Sequence, residues 1–163
     1  MKKYLLVFAI LFAGIVSAQS LQEVENFNRV KIDVDAQVEI MFSPKNEVMM
    51  SLPATVTKNI KVTSKNGALV ITNTSASKLQ NLRIRIYTNS LKALSVSKGA
   101  DVDLKNFGYC KSLVVQTSGN SSVNTNDMKI EDLNIMRTSD SKVIAKNATN
   151  IKESVDNVAV AAR

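Results

Sequence analysis

The side chains of this sequence that could carry out acid–base or nucleophilic chemistry are carboxylates and one thiol. Histidine is absent, which removes the commonest general base near neutral pH and the commonest transition-metal ligand. Cys110 is the single cysteine, so no Cys-His pair and no intramolecular disulfide can form. Glycine-rich phosphate loops are also missing from the sequence. We therefore predict no catalytic and no cofactor-binding residues, and we expect Cys110 to be buried as a small hydrophobic residue.

Four aspartates near polar turns are the candidates for polysaccharide cleavage or calcium binding: Asp101, Asp103, Asp127 and Asp140. Aligned at a spacing of about 20 residues, Asp101 and Asp140 fall in different columns, so each column carries few carboxylates. So few carboxylates make a poor acid–base pair. They are also too few for Ca²⁺, which takes roughly 6–8 oxygen ligands. We interpret these residues as solvated turn residues that bond their own backbone and predict no metal site. Weak calcium binding and a polysaccharide-active enzyme are the alternatives.

Arg83, Arg85 and Tyr87 are the candidate binding residues. They alternate with apolar Leu82 and Ile84, so on a strand they share one outward face. With a net charge of +7, we interpret this face first as a generic solvated surface, and binding of an anionic polysaccharide is the alternative. Nucleic acid is not expected as a partner, because aromatic residues are scarce and the lysines are scattered along the chain.

The N-terminus resembles a bacterial secretory signal peptide. Lys2 and Lys3 precede an apolar run over residues 5–16, and small residues follow it. We predict a signal peptide over residues 1–18 with cleavage between Ala18 and Gln19. The run is shorter than the roughly 20 residues of a spanning helix, and no second such run follows. The protein is therefore expected to be exported to the periplasm, the outer cell surface or the extracellular space, without a transmembrane span.

Alternation of apolar and polar residues with a period of two covers most of the chain after Phe27, which indicates an all-β protein. Asn66-Gly67 between two such runs predicts a tight hairpin. The predicted strands in the less repetitive part and at the C-terminus are Val30–Val34, Val38–Phe42, Val48–Leu52, Ile60–Thr63, Ala68–Thr72, Leu82–Ile86 and Val158–Ala162.

A near-repeat of about 20 residues in the second half indicates stacked rungs. Three copies share a pattern of apolar anchors around a polar turn, and they are Leu94-Val96-Val102, Leu113-Val115-Val123 and Leu133-Ile135-Val143. We therefore predict that residues 19–163 form one domain, a right-handed parallel β-helix or β-solenoid with rungs of about 20 residues. An antiparallel β-sandwich is the alternative.

The repeat also predicts which aliphatic side chains stack in columns and where the chain turns between strands. One aliphatic column would contain Leu94, Leu113 and Leu133, and a second would contain Val96, Val115 and Ile135. The corners fall at Gly99 and Gly119, where glycine suits a left-handed backbone, and Asp140 is expected to take that conformation in the third rung.

These features resemble the bacterial family described as "putative auto-transporter adhesin, head GIN domain". The resemblance rests on three elements: Phe27-Asn28-Arg29-Val30-Lys31-Ile32, Asn66-Gly67-Ala68-Leu69-Val70-Ile71, and the repeated element that begins as Leu94-Ser95-Val96-Ser97-Lys98-Gly99-Ala100-Asp101-Val102. It extends over about residues 27–160. It implies a secreted β-solenoid of the cell envelope and carries over no catalytic residues.

Two features of the chain depart from the family pattern. Only 5 glycines are present, so several turn glycines of the family are missing. The sequence also stops at Arg163, where relatives often continue with further rungs, so we expect an uncapped end that can recruit a second copy of the chain.

The sequence thus predicts a non-enzymatic exported envelope protein, an adhesin-like module that binds a glycan or an envelope or host protein. A self-assembling structural protein of the envelope is the alternative, and a polysaccharide-active β-helix enzyme is a more distant one.

Overall fold

A computed structural model of the chain describes residues 19–51, 58–75 and 81–160. The elements of these residues are strands, so the predicted all-β class is confirmed. The strands are β1 (Gln19–Glu23), β2 (Arg29–Asp33), β3 (Gln37–Phe42), β4 (Glu47–Ser51), β5 (Ile60–Lys65), β6 (Ala68–Asn73), β7 (Arg83–Thr88), β8 (Ala93–Ser97), β9 (Asp101–Lys105), β10 (Tyr109–Thr117), β11 (Ser122–Asn124), β12 (Lys129–Arg137), β13 (Lys142–Ile144), β14 (Ala148–Val155) and β15 (Val158–Val160).

Two mixed sheets contain these strands. The seven-stranded sheet has the order β1-β4-β7-β3-β9-β11-β13, and the eight-stranded sheet has the order β15-β14-β12-β10-β8-β2-β6-β5. Pairing is parallel through the middle of both sheets. It is antiparallel for β1–β4, β4–β7, β5–β6 and β14–β15.

Inward side chains of the two sheets form one apolar core. Val30 and Ile32 of β2 are buried while Arg29 and Lys31 are exposed, and β3 and β7 follow the same alternation. Burying branched aliphatic side chains on one face of each sheet is the main stabilising contribution of such an arrangement. The largest side chains with almost no exposure are Ile32, Ile40, Leu69, Ile71, Leu82, Ile84, Ile86, Leu94, Leu104, Leu113, Ile130 and Leu133.

The predicted right-handed parallel β-helix is wrong, because the strands form two mixed sheets in a sandwich-like arrangement. Among the described strands, antiparallel ones occupy three of the four sheet edges, at β1, β5 and β15. Two-residue hairpins produce two of these edges, Asn66-Gly67 and Asp156-Asn157, both with positive φ at each residue. The antiparallel sandwich named as the alternative is nearer, although parallel pairs predominate inside the sheets.

The predicted aliphatic columns hold for one pair of strands and fail for the next. Leu113 pairs with Leu133 across β10 and β12. Leu94 of β8, however, pairs with Val115 rather than with Leu113, and Val96 pairs with Thr117. The register between β8 and β10 is therefore shifted by two residues from the predicted alignment. A shift of two keeps every side chain on its face of the sheet, so both registers suit the same apolar pattern.

Left-handed corners form at Gly99 and Gly119, with φ of 82° and 64°, as predicted. Asp140 does not take this conformation, so that prediction is wrong. Asparagine replaces glycine elsewhere: six of the eight non-glycine residues with positive φ in the described part are Asn. Asn tolerates the left-handed region better than other side chains, which accounts for the small number of glycines in a chain with many turns.

Several predictions fall outside the described residues. These are the signal peptide over residues 1–18, including Ala18, and the ends of two predicted strands at Leu52 and at Ala161–Ala162. Gln19 is the first residue of β1.

Candidate binding site

Asp101 and Asp103 lie two residues apart on β9, whereas Asp127 and Asp140 lie in separate turns. Ser122 Oγ donates to Asp101 Oδ1 at 2.6 Å, and Asn126 Nδ2 is 3.4 Å from Asp103 Oδ1. The Thr138 hydroxyl donates to Asp140, which lowers the pKa of this carboxyl. Asp127 is exposed in a turn. Within residues 19–51, 58–75 and 81–160, no group of three or more His, Cys, Asp or Glu side chains could hold a metal ion.

Arg83, Arg85 and Tyr87 lie on the outward side of β7, between β3 and β4. Both arginines are exposed and Tyr87 is half-buried. The arginines line a shallow concavity of about 540 Å³ on this sheet face, which we call the arginine face, and Tyr87 lies beyond its edge.

Carboxylates offset the positive charge of the arginine face. Arg85 Nε lies 2.9 Å from Glu39 Oε2, and Lys105 Nζ donates to the other oxygen of the same carboxylate. Hydrogen bonds donated by Lys105, which has the larger effect, and by Arg85 lower the pKa of Glu39. Asp101 and Asp103 also line the concavity. The face therefore carries mixed charge, and an anionic ligand at Arg83 and Arg85 stays a prediction.

A second concavity, of about 860 Å³, lies where the strands of the eight-stranded sheet begin. We call it the aromatic groove; its lining residues are Phe42, residues 89–92, residues 106–112, Val114 and Met128. Phe42 and Phe107 pack edge to face with ring centroids 6.0 Å apart. Phe42 is 51% exposed and Tyr109 is 63% exposed. Exposed aromatic rings beside one concavity are a common property of binding sites.

A step between two strands produces the groove. β10 begins at Tyr109, but its pairing with β8 begins only at Val114, opposite Ala93. Residues 109–113 therefore have no partner on that side among the described strands, and residues 89–92 line the gap instead. The Val114 amide donates to Lys92 O at 3.0 Å, which closes the groove where the strands begin to pair.

Tyr109 is held in place by a hydrogen bond across the next strand. Its hydroxyl lies 2.5 Å from Glu131 Oε2, and this hydrogen bond raises the pKa of Tyr109. The ring therefore has one fixed polar end and an exposed face. A ring fixed before a ligand arrives loses less conformational entropy on binding.

Cys110 lines the groove and is only half-buried, so the expected burial is partial. Its thiol donates to Ser112 O at 3.2 Å, and burial raises its pKa. A thiol with a raised pKa is a weak nucleophile.

Sequence reasoning did not find this groove. It placed Cys110 beside Phe107 and Tyr109 but had no signal that Phe42, about 65 residues earlier, reaches the same place. The available signal was the concentration of two aromatic residues and a glycine within residues 107–109 of a chain that is poor in both.

The family described as "Putative auto-transporter adhesin, head GIN domain" matches residues 26–158. This match covers most of the sequence. The chain belongs to this family. The predicted resemblance is thereby confirmed, and the description of the family is that of an adhesin rather than of an enzyme. No match is found among curated proteins.

Solved structures share the fold of this head GIN domain at low sequence identity. A putative lipid binding protein from Parabacteroides distasonis has a TM-score of 0.75 and 14% identity, and the match covers 85% of this chain and 62% of that one. A putative adhesin from Bacteroides fragilis has a TM-score of 0.70 and 17% identity, covering 85% and 75%. A putative adhesin from Parabacteroides merdae has a TM-score of 0.56 and 13% identity, covering 85% and 75%.

The chain thus spans less than two thirds of the first of these relatives. In the part of the chain that the structure describes, no helix has the length and apolar character needed to cross a bilayer.

Proposed function

We propose that this protein is an exported, non-enzymatic, adhesin-like module of the bacterial envelope that binds its ligand in the aromatic groove. Membership of the head GIN family supports an adhesin-like role at the cell surface or outside the cell. The groove is the observation that carries the choice of site, because two exposed aromatic rings and a packed third surround one concavity. Ligand sites are typically concave, lined with apolar and aromatic groups and supplied with a few polar ones.

The export part of the proposal rests on residues 1–18. Cleavage between Ala18 and Gln19 would leave a chain that begins at the first described strand. N-terminal sequencing of the protein recovered from outside the inner membrane is expected to begin at Gln19. An N-terminus at Met1 in that fraction would contradict it.

The two tyrosines of the described residues provide a matched pair of variants, since Tyr109 lines the aromatic groove and Tyr87 does not. Protein purified from the exported fraction of cells that express the full chain is coated on beads. Retention of the beads is then counted on surfaces bearing envelope polysaccharide, host-type glycans or extracellular-matrix protein. We expect Tyr109→Ala to lower retention about tenfold, the loss typical of a central aromatic contact.

Tyr87→Ala is the matched control and should leave retention unchanged. Arg83→Ala probes the arginine face, which Arg83 lines, and loss of retention with that variant alone would move the site there. Failure of the wild-type protein to be retained on any of the surfaces would contradict the binding role. Far-ultraviolet circular dichroism of each variant checks that the strands are intact.

A further inference from the structure

We propose that the aromatic groove binds an acidic saccharide, a sugar chain that carries carboxylate or sulfate groups, with a sugar ring against Tyr109 and the anionic groups at Lys92 and Lys111. This inference rests on the proposed function, because it names the chemical class of ligand for the same groove.

The rings of the groove suit the apolar face of a sugar. Five aromatic residues follow residue 18, and three of them, Phe42, Phe107 and Tyr109, meet here. Pyranose rings have C–H faces that pack on aromatic faces, while their hydroxyls stay in water or bind polar groups. The groove also has the size of a small-ligand site, since such sites range over roughly 300–1,000 Å³ and this one is about 860 Å³.

Polar side chains border the rings. Asn89, Asn106 and Ser112 line the groove and are exposed. Amides and hydroxyls can both donate and accept hydrogen bonds, which matches the hydroxyls of a sugar. An entirely apolar ligand such as an acyl chain would leave these groups without partners in the bound state, at a cost in free energy.

The positive charge of the groove favours an acidic saccharide over a neutral one. Lys92 and Lys111 line it and are exposed, and neither forms an ion pair within residues 19–51, 58–75 and 81–160. No Asp or Glu lines the groove among those residues. Glu131 accepts the hydrogen bond of the Tyr109 hydroxyl and lines a neighbouring concavity rather than the groove.

The arginine face provides the contrast. There Glu39, Asp101 and Asp103 accompany the basic side chains, so the positive charge is offset within the protein. In the groove no carboxylate among the described lining residues offsets the two ammonium groups, and an anionic ligand would supply the complementary charge.

The test uses three pairs of oligosaccharides in which the second member keeps every sugar ring but has no charge: oligogalacturonate and its methyl ester, a keratan sulfate fragment and its desulfated form, and a sialylated glycan and its carboxyl methyl ester. Binding to the exported full-chain product is measured by titration calorimetry at low salt and again at high salt. We expect at least one acidic member to bind about tenfold more tightly than its neutral partner, with a preference that weakens as salt screens the charges.

Two double lysine variants test whether Lys92 and Lys111 cause the preference for the acidic member. The double variant Lys92→Gln and Lys111→Gln should abolish the preference for the acidic member. The control, Lys61→Gln with Lys142→Gln, removes the same net charge at exposed lysines outside the groove and should retain the preference.

The remaining outcomes separate the two proposals. Equal binding of acidic and neutral members, lost with Tyr109→Ala, would overturn the acidic class while the groove stays the site. Acidic binding that survives Tyr109→Ala would overturn the groove itself. Binding to none of the six saccharides overturns the inference. If vesicles containing phosphatidylglycerol bind instead, the ligand is an anionic membrane surface rather than a saccharide.

Discussion

Gly119 turns the chain between β10 and β11 with a φ of 64°, close to the backbone of the preceding turn. A Cβ built there would lie 3.3 Å from the amide nitrogen of Lys98. The neighbour is backbone and cannot rotate away. Both the left-handed conformation and the close approach therefore favour glycine at this corner.

Gly119→Ala is expected to lower the free energy of unfolding by about 1–2 kcal/mol, the cost of a left-handed non-glycine residue. Gly108→Ala is the matched control, because a Cβ there meets nothing within 4 Å and φ is not positive. That change should have an effect of about 0.5 kcal/mol or less. Urea unfolding of both variants measures the difference, and equal losses would contradict the conformational argument.

Two buried threonines differ in whether their hydroxyls have partners. Thr117 Oγ1 lies 3.0 Å from Ser141 Oγ. The Thr125 hydroxyl is buried and has no hydrogen-bond partner among the described residues. Desolvating a hydroxyl without a partner is unfavourable, whereas a paired one is satisfied.

Valine replaces threonine at nearly the same volume, so it tests the hydroxyl alone. We expect Thr125→Val to raise the free energy of unfolding by about 1 kcal/mol and Thr117→Val to lower it by about 1–3 kcal/mol, since the latter removes a partner of Ser141. Denaturant unfolding of the two variants is the measurement. Destabilisation by Thr125→Val would indicate an ordered water on that hydroxyl.

At the level of elements, Glu39 of β3 connects the two strands that flank it. Arg85 belongs to β7 and Lys105 to β9, and both donate to the Glu39 carboxylate. The pKa of Glu39 is lowered from its ordinary value of 4.5 by these donors. A carboxyl with a lowered folded-state pKa adds stability above its unfolded pKa, and this contribution is lost as the pH falls through the folded pKa.

The wild-type protein should therefore be more stable than Glu39→Gln at pH 7, and the difference should shrink as the pH falls below 4.5. Lys105→Met is the companion variant, because it removes the Lys105 donor to Glu39 and leaves the Arg85 donor. The stability that it loses on acidification should lie between the losses of the wild type and of Glu39→Gln. Urea midpoints across the pH range provide the data. A difference between wild type and Glu39→Gln that is independent of pH would show that lost packing, and not the charge, causes it.

At the level of the whole molecule, the C-terminal end combines an inward ion pair with an exposed edge. Arg137 Nε lies 2.6 Å from Glu153 Oε1, and a second guanidinium nitrogen, Nη1, donates to Ser141 O at 3.1 Å. Beyond them β15 is a three-residue edge strand with Val158 68% exposed and Val160 42% exposed. Short edges limit strand addition, but exposed valines on an edge favour it.

If this edge recruits a second copy, as the self-assembling alternative requires, the protein should associate with increasing concentration in light scattering. Val158→Lys with Val160→Lys is then expected to weaken association about tenfold or more, because it places charge on the pairing edge. Leu21→Lys on the β1 edge of the other sheet, where Leu21 is 56% exposed, is the matched control. A strict monomer at high concentration would remove the self-assembly role and leave the binding module.

Short sequence patterns correctly predicted the positions of several strands and of one hairpin, which depend on interactions within a few residues. Alternation with a period of two located β2, β3, β6 and β7 to within a few residues, because burial of one sheet face acts on each strand separately. The Asn66-Gly67 hairpin followed from backbone preferences of two residues. Asp156-Asn157, in the β14–β15 hairpin, is also a pair of residues that tolerate positive φ, but this hairpin was not predicted.

Sheet order and register required the tertiary structure. Apolar alternation repeats every two residues, so it accepts registers that differ by two, and packing selected Val115 rather than Leu113 as the partner of Leu94. The repeat in one half of the chain also could not predict how antiparallel strands close the sheet edges in the other.

The sequence by itself determined an all-β chain of the head GIN family without histidine chemistry, because composition and strand alternation need no knowledge of long-range contacts. Only the tertiary structure decided that Phe42 joins Phe107 and Tyr109 in one groove and that carboxylates offset the charge of Arg83 and Arg85. Both depend on which strands become neighbours, and that choice is made by the packing of the whole core.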